Sequence, residues 1–196
     1  MPIEESSQLR LKINKRFYIS DGTPVTLRPV QPNDLDKLLV YINSLVQEKQ
    51  QDKRTRLFTG FEDKFSRRME SRYLDETLAG IQSGKIINLA AEIDGRIVAN
   101  GEIERGSYKE TEHYGRLGLT IIPEFRGRGL GREMVRALLR EARRRRLKRV
   151  QVEFLATNSA AVRTYRKAGF KKAGLLPGKV FRNGELIDSL IMVRNL

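Results

Sequence analysis

Apolar residues along the chain alternate with polar ones in some stretches and recur at three-and-four spacing in others, and each change of period marks an element. Val25 and Leu27 flank a polar threonine and read as a short strand running to Pro29. The stretch PNDLDKLLVYINSLVQE opens with helix-start residues and repeats apolar groups at helical spacing from Leu35. Residues 48–62 are charged, contain Gly60 and predict a loop, whereas Phe65, Met69, Tyr73 and Leu78 predict a second helix over 63–82 with Gly84 after its end. Two apolar runs, 86–93 and 96–104, are joined by Asp94-Gly95, a strong hairpin signal, and 114–122 follows as a third strand of the meander.

Leu130, Met134, Val135, Leu138, Leu139 and Ala142 then share one face of a third helix. Val150, Val152 and Phe154 alternate as a strand, and a short helix over 158–168 meets Gly169 at its C-terminal cap. Final strands are read at 170–173 or 180–182 and at 186–193, with RNGE as the turn between them. Strand, two helices, a three-strand meander, helix, strand, helix and strands in that order predict an α/β protein: an open mixed sheet with helices on both faces. Residues 1–22, polar and basic and ending at Asp21-Gly22, read as an extension, which leaves 23–196 as a single domain.

Composition narrows the chemistry. No cysteine is present among the 196 residues, which removes disulfides, thiolate metal sites and a cysteine acyl-enzyme, and fits a reducing cytoplasm. No apolar stretch has signal-peptide or membrane-spanning length, so a cytoplasmic protein without membrane contact is expected. Lysine and arginine outnumber acidic residues 38 to 24, giving a formal charge of +14 that should attract polyanions. A charged fraction of 32% with no cysteine or tryptophan leans toward a thermophilic source.

Residues 126–131, RGRGLG, lie between an apolar strand and an amphipathic helix. A dinucleotide fingerprint starting at Gly127 fails because position 132 is arginine, and a P-loop fails because no G-K-[ST] occurs. What remains is a glycine-rich turn that leaves backbone N–H groups free at a helix N-terminus, an anion site by construction. Arg126, Arg128 and Arg132 put positive charge at the helix end where cations are disfavoured, and three such cations call for an anionic ligand.

These residues carry a family resemblance. RGRGLG is similar to the (Arg/Gln)-x-x-Gly-x-(Gly/Ala) signature of the GNAT superfamily of N-acetyltransferases; VTLRPVQPNDLDKL resembles that family's first strand and helix, LGLTIIPEFRGRGLG its cofactor strand and loop, and NSAAVRTYRKAGF its second signature. The resemblance spans roughly 24–194. It implies a mostly antiparallel sheet of six to seven strands, and acetyl-coenzyme A as cosubstrate with no metal. The pyrophosphate would sit on Arg126, Gly127, Arg128, Gly129, Leu130, Gly131 and Arg132, and pantetheine on backbone groups around Leu119 and Ile121 and on the Asn158 side chain.

Acetyl transfer to an amine makes its own demands. A lysine-like amine of pKa about 10.4 is only about 0.04% neutral at pH 7, so a base is needed, and a departing thiolate of pKa about 8.5 leaves faster with a proton donor. Asn158, Ala161, Val162 and Tyr165 form one stripe of the last helix. By resemblance Tyr165 is the general acid near the sulfur. Glu153 resembles a glutamate that some relatives use as base, with Glu104 and a water relay as rivals; His113, at the polar start of a strand, reads as solvated or structural. Residues 48–75 and the turn near 178–184 are where acceptor choice is expected.

The run REARRRRLKR, 140–149, closes the third helix where cations complement the dipole, so it reads first as a solvated basic end and second as a contact for an acidic macromolecule. By the fold that the resemblance implies, it lies across the sheet from the cofactor phosphates. The leading reading is direct acetyl transfer to a primary amine (a protein N-terminus or lysine, a polyamine or another small amine) in a ternary complex. A basic nucleic-acid-associated protein and a non-catalytic acyl-coenzyme A sensor are the alternatives, and a homodimer is left open.

Overall fold

Alternation places the chain's strands in one sheet whose two faces are each covered by a pair of helices. The computed structural model describes residues 14–196; the rest of the basic extension lies outside them. The strands are β1 (Lys15–Tyr18), β2 (Pro24–Arg28), β3 (Ile86–Ile93), β4 (Arg96–Arg105), β5 (Tyr114–Ile121), β6 (Arg149–Leu155), β7 (Lys171–Arg182) and β8 (Glu185–Asn195). The helices are α1 (Leu35–Gln51), α2 (Arg67–Gln82), α3 (Leu130–Arg144) and α4 (Ser159–Lys167).

Sheet order is β1-β2-β3-β4-β5-β6-β8-β7, antiparallel throughout except for the β5–β6 pair. Eight strands among the described residues exceed the six to seven expected, and the added one is β1. Its four residues, KRFY, are too few and too polar to show a period, yet they pair with β2 from Lys15 to Leu27 and from Tyr18 to Pro24. At the other edge the two alternative segments, 170–173 and 180–182, belong to one irregular strand, β7, whose register slips near Gly174 and again between Leu176 and Val180. The loop expected from residue 48 starts later, because α1 continues to Gln51; α2 starts at Arg67, where the Ser66 side chain accepts the Met69 N–H.

Side-chain parity assigns the faces. A Cβ on Gly101 would stand 3.0 Å from both Leu119 and Leu138, so odd positions of β4 and β5 face α3. Through the parallel pairs Gly115–Val150 and Leu117–Val152, the even positions of β6 share that face with α3 and α4. Even positions of β4 and β5 face α1 and α2. Leu130, Met134 and Leu138 bury the apolar stripe of α3 with at most 1% exposure, and truncating such a leucine to alanine costs about 2–5 kcal/mol.

Candidate active site

The parallel pair opens partway along its length. β5 and β6 pair from Tyr114–Arg149 to Leu117–Val152 and no further, although β5 runs on to Ile121 and β6 to Leu155. Ile122 N–H donates to the Val98 carbonyl across β4, so alternation turns the backbone groups of Leu119 and Ile121 the other way, into the opening. The Ile121 carbonyl accepts from Arg126 Nε at 2.7 Å. Both side chains pack against the core.

Beyond β5, a turn over Pro123–Phe125 leads into the glycine loop. Gly127 and Gly129 adopt φ of 76° and 86°, a left-handed conformation that costs other residues about 1–2 kcal/mol. Gly129 is also the N-cap of α3 and brings no side chain to cover the first turn. Arg132 and Glu133 N–H groups turn back to the Gly129 carbonyl, while those of Leu130 and Gly131 precede the helical hydrogen-bond series. Backbone donors and the helix dipole therefore converge here.

The loop cations are placed otherwise than expected. Arg126 is held by Glu48 at 2.6 Å through both terminal nitrogens, and Arg128 by Asp21 at 2.6 Å with its guanidinium 5.4 Å from the Phe125 ring. Only Arg132 stays loosely held, 4.0 Å from Glu133. The longer α1 supplies Glu48 and the β1–β2 turn supplies Asp21, so two of the three cations already have carboxylates. That turn also donates Ser20 N–H to the Arg128 carbonyl at 3.1 Å.

Tyr165 is buried, stacked on Phe154 at 5.3 Å and edge-on to Phe170, and its hydroxyl bonds to no other described residue. Burial pushes its phenol well above the ordinary tyrosine range, which keeps the proton on oxygen. Asn158 is the N-cap of α4: its Oδ1 accepts Ala161 N–H at 3.0 Å, and Nδ2 approaches the Arg56 carbonyl at 3.5 Å. Half of its amide is thus spent on the helix. Residues 53–57 and the β7–β8 tip meet above this end of the sheet, since Arg182 donates to the Thr55 and Leu57 carbonyls at 2.8 Å and Asn183 to Lys53 at 3.1 Å.

Glu153 faces the α1/α2 side, where its Oε1 accepts from Ser189 and from Lys179, 2.6 and 2.5 Å away. Burial alone would raise this carboxyl, but those two partners outweigh it and hold it below the usual range. A carboxylate so held is a weak base. Glu104 is exposed and 3.7 Å from Arg116, and His113 is exposed and uses its backbone carbonyl to accept from Lys148 and Arg149.

A polar cluster on the same face was not foreseen. Glu102 of β4 accepts from the Tyr73 hydroxyl at 3.2 Å; Asn88 donates to Asn100 at 3.0 Å; and the Tyr41 hydroxyl stands between β4 and β5, 3.1 Å from both Asn100 N and the Thr120 carbonyl. Burial, with Glu104 nearby, raises Glu102 against the opposing Tyr73 bond. Glu70 of α2 is 2% exposed, has no ion pair among the described residues, and is pushed by burial up to about 7. One signal lay in the sequence: strand alternation puts Asn100, Glu102 and Glu104 on a single face of an otherwise apolar central strand.

A sheet that opens at its one parallel pair, beside a glycine loop that starts a helix, defines an acyltransferase site of the GNAT type. Residues 47–170 match the model of the Acetyltransferase (GNAT) family, and the chain belongs to that family. Among individual proteins, L-amino acid N-acetyltransferase AaaT of Escherichia coli (strain K12) is 26% identical over 110 residues, 56% of this chain and 68% of that protein. A ribosomal-protein-alanine N-acetyltransferase from Brucella melitensis superposes with a TM-score of 0.73 at 24% identity, over 87% of this chain and 99% of that one. The yncA protein of Salmonella typhimurium, solved with acetyl-CoA, gives 0.74 at 20% identity over 88% and 94%.

Proposed function

We propose that this acyltransferase moves the acetyl group of acetyl-CoA directly to a primary amine in a ternary complex. The observation that carries the reading is the opening between β5 and β6, with the first turn of α3 beside it. Backbone groups of Leu119 and Ile121 suit an extended amide-bearing arm, and the Leu130 and Gly131 amides with the helix dipole suit a pyrophosphate. The loop contributes mainly N–H groups, with Arg132 as the cation still able to turn to a phosphate.

The acceptor belongs on the α1/α2 face, under residues 53–57 and the β7–β8 tip. The raised, half-buried Glu102 is better suited than the ion-paired Glu153 to take the amine proton, with Tyr73 as its positioning partner. Glu102 takes one proton from the ammonium, the freed amine nitrogen bonds to the thioester carbonyl carbon, the C–S bond breaks as the leaving sulfur receives the Tyr165 phenolic proton, and the second nitrogen proton passes through solvent to return Tyr165 to its phenol. Glu70 and Glu102, neither ion-paired among the described residues, support an acceptor that arrives as an ammonium. The cysteine-free sequence supports direct transfer and a cytoplasmic setting. Calorimetric titration with acetyl-CoA, followed by free-thiol release against a panel of amines, tests the reading; absence of binding overturns it.

A further inference from the structure

Every exposed position from 132 through 149 is arginine or lysine. On α3 these side chains make a stripe, Arg132, Arg136, Arg140 and Arg143, at spacings of four, four and three that keep them on one helix face. The face continues onto α4, where Arg163, Arg166 and Lys167 are exposed, and the two helices are linked by Arg194. Arg194 donates to the Ala168 carbonyl at the end of α4, and its guanidinium is held below its usual range by burial and then by Arg143 close by.

Acidic compensation is slight. Glu133 is shared by Lys15, Arg132 and Arg136 at 3.6, 4.0 and 2.9 Å, and Glu141, largely buried, is taken by Arg144 at 3.1 Å. Arg140, Arg143 and Arg166 have no carboxylate within ion-pair distance among the described residues. Helix-end electrostatics favours cations in the last turn of α3, but it gives no reason for the stripe to run back along the whole helix.

Two classes of partner could meet such a surface, and the side chains choose between them. Stable protein interfaces are anchored by buried aromatic and apolar groups. None of the large exposed apolar side chains among the described residues lies on α3 or α4; the nearest in sequence, Leu175 and Leu176, belong to β7 at the sheet edge. Binding to a nucleic-acid backbone needs no such anchor, because phosphate neutralisation supplies its affinity, and arginine matches phosphate with paired donors.

We infer that the α3/α4 face is a binding surface for a phosphodiester polyanion, RNA or DNA, separate from the acetyl-transfer site. Arg132, at the loop end of the stripe, belongs to the acetyl-CoA site, and the polyanion surface runs from Arg136 onward; Arg140 stands ten residues beyond Leu130, about 15 Å of helix from the glycine loop, far enough for the two ligands to bind side by side. The inference does not depend on the acetyl-transfer reading.

Fluorescence anisotropy with short labelled single-stranded RNA, duplex RNA and duplex DNA across a salt series tests it, with a polyglutamate peptide and vesicles of phosphatidylserine as competing probes. At least one nucleic acid should bind with log K falling against log salt by about 0.7–0.9 per phosphate neutralised, and the three arms identify which. The triple variant Arg140→Glu, Arg143→Glu, Arg166→Glu should lose at least about tenfold in affinity and about three units of salt slope while calorimetric binding of acetyl-CoA is unchanged. The milder triple to glutamine should fall between it and the parent, which keeps the test valid if the glutamate variant folds poorly. Absence of nucleic-acid binding at low salt, indifference to both triples, or tighter binding of polyglutamate or vesicles would overturn the inference.

Discussion

Arg126 and Glu48 meet through two contacts of 2.6 Å, Nη1 to Oε1 and Nη2 to Oε2, so the first arginine of the glycine loop is tied to α1. A paired guanidinium holds the loop in shape and offers little charge to a ligand. Truncating either residue to alanine should therefore lower stability, and a double-mutant cycle in urea should return a coupling of about 1–3 kcal/mol. If instead the singles are additive and only Arg126→Ala weakens acetyl-CoA binding, Arg126 is a phosphate ligand and the pairing is incidental.

Gly129 has open space where a Cβ would go, so alanine there meets no clash and acts only through its backbone at φ 86°. Gly129→Ala should weaken acetyl-CoA about five- to thirtyfold, the equivalent of 1–2 kcal/mol of left-handed strain, by rotating the first-turn amides of α3. Gly131→Ala, whose Cβ would sit 3.2 Å from the terminal methyl of Ile121 at ordinary φ, should matter less in the same titration.

Tyr165→Phe removes only a hydroxyl that bonds to no described residue, so packing between Phe154 and Phe170 survives. Turnover by thiol release should drop about 10²-fold with acetyl-CoA affinity nearly unchanged. An unchanged rate would remove Tyr165 as the acid.

Glu102 and Glu153 are separated by their pH behaviour. With Glu102 raised by burial, kcat/KM should fall on acidification at a pH above the ordinary carboxylate range, and Glu102→Gln should abolish that limb along with most activity. Tyr73→Phe, which frees Glu102 from its hydrogen bond, should move the limb rather than erase it. Glu153→Gln should leave it in place; loss of the limb in that variant would transfer the role to Glu153.

Glu70 links burial to stability. Its carboxyl sits at about 7 in the folded protein against 4.5 when exposed, so between those values the folded chain keeps a proton that the unfolded chain releases. The stabilisation is full below pH 4.5 and lost as pH rises through 7, a swing of about 3 kcal/mol at most. Urea midpoints of the parent should decline over that window relative to Glu70→Gln; parallel curves would refute it.

Long periodic elements were legible because burial enforces their period: α3, β3 to β6 and the Gly169 cap stand where Leu130, Val150 and Phe154 predict them. β1 escaped because four residues carry no period. Glu48 and Asp21 escaped as partners of the loop because ion pairs between distant segments leave no local trace. Glu102 and Tyr73 had a face but no visible companion, since α2 meets β4 only in three dimensions.

The parallel seam has a mechanical meaning as well. Four residue pairs join β5 to β6, against seven between β4 and β5 and seven between β6 and β8. The sheet is thus two antiparallel slabs stitched by a short hem, and the stitch ends where the ligand cleft begins. Whatever fills the cleft fastens one slab to the other, so ligand should slow amide exchange across the hem itself more than within either slab.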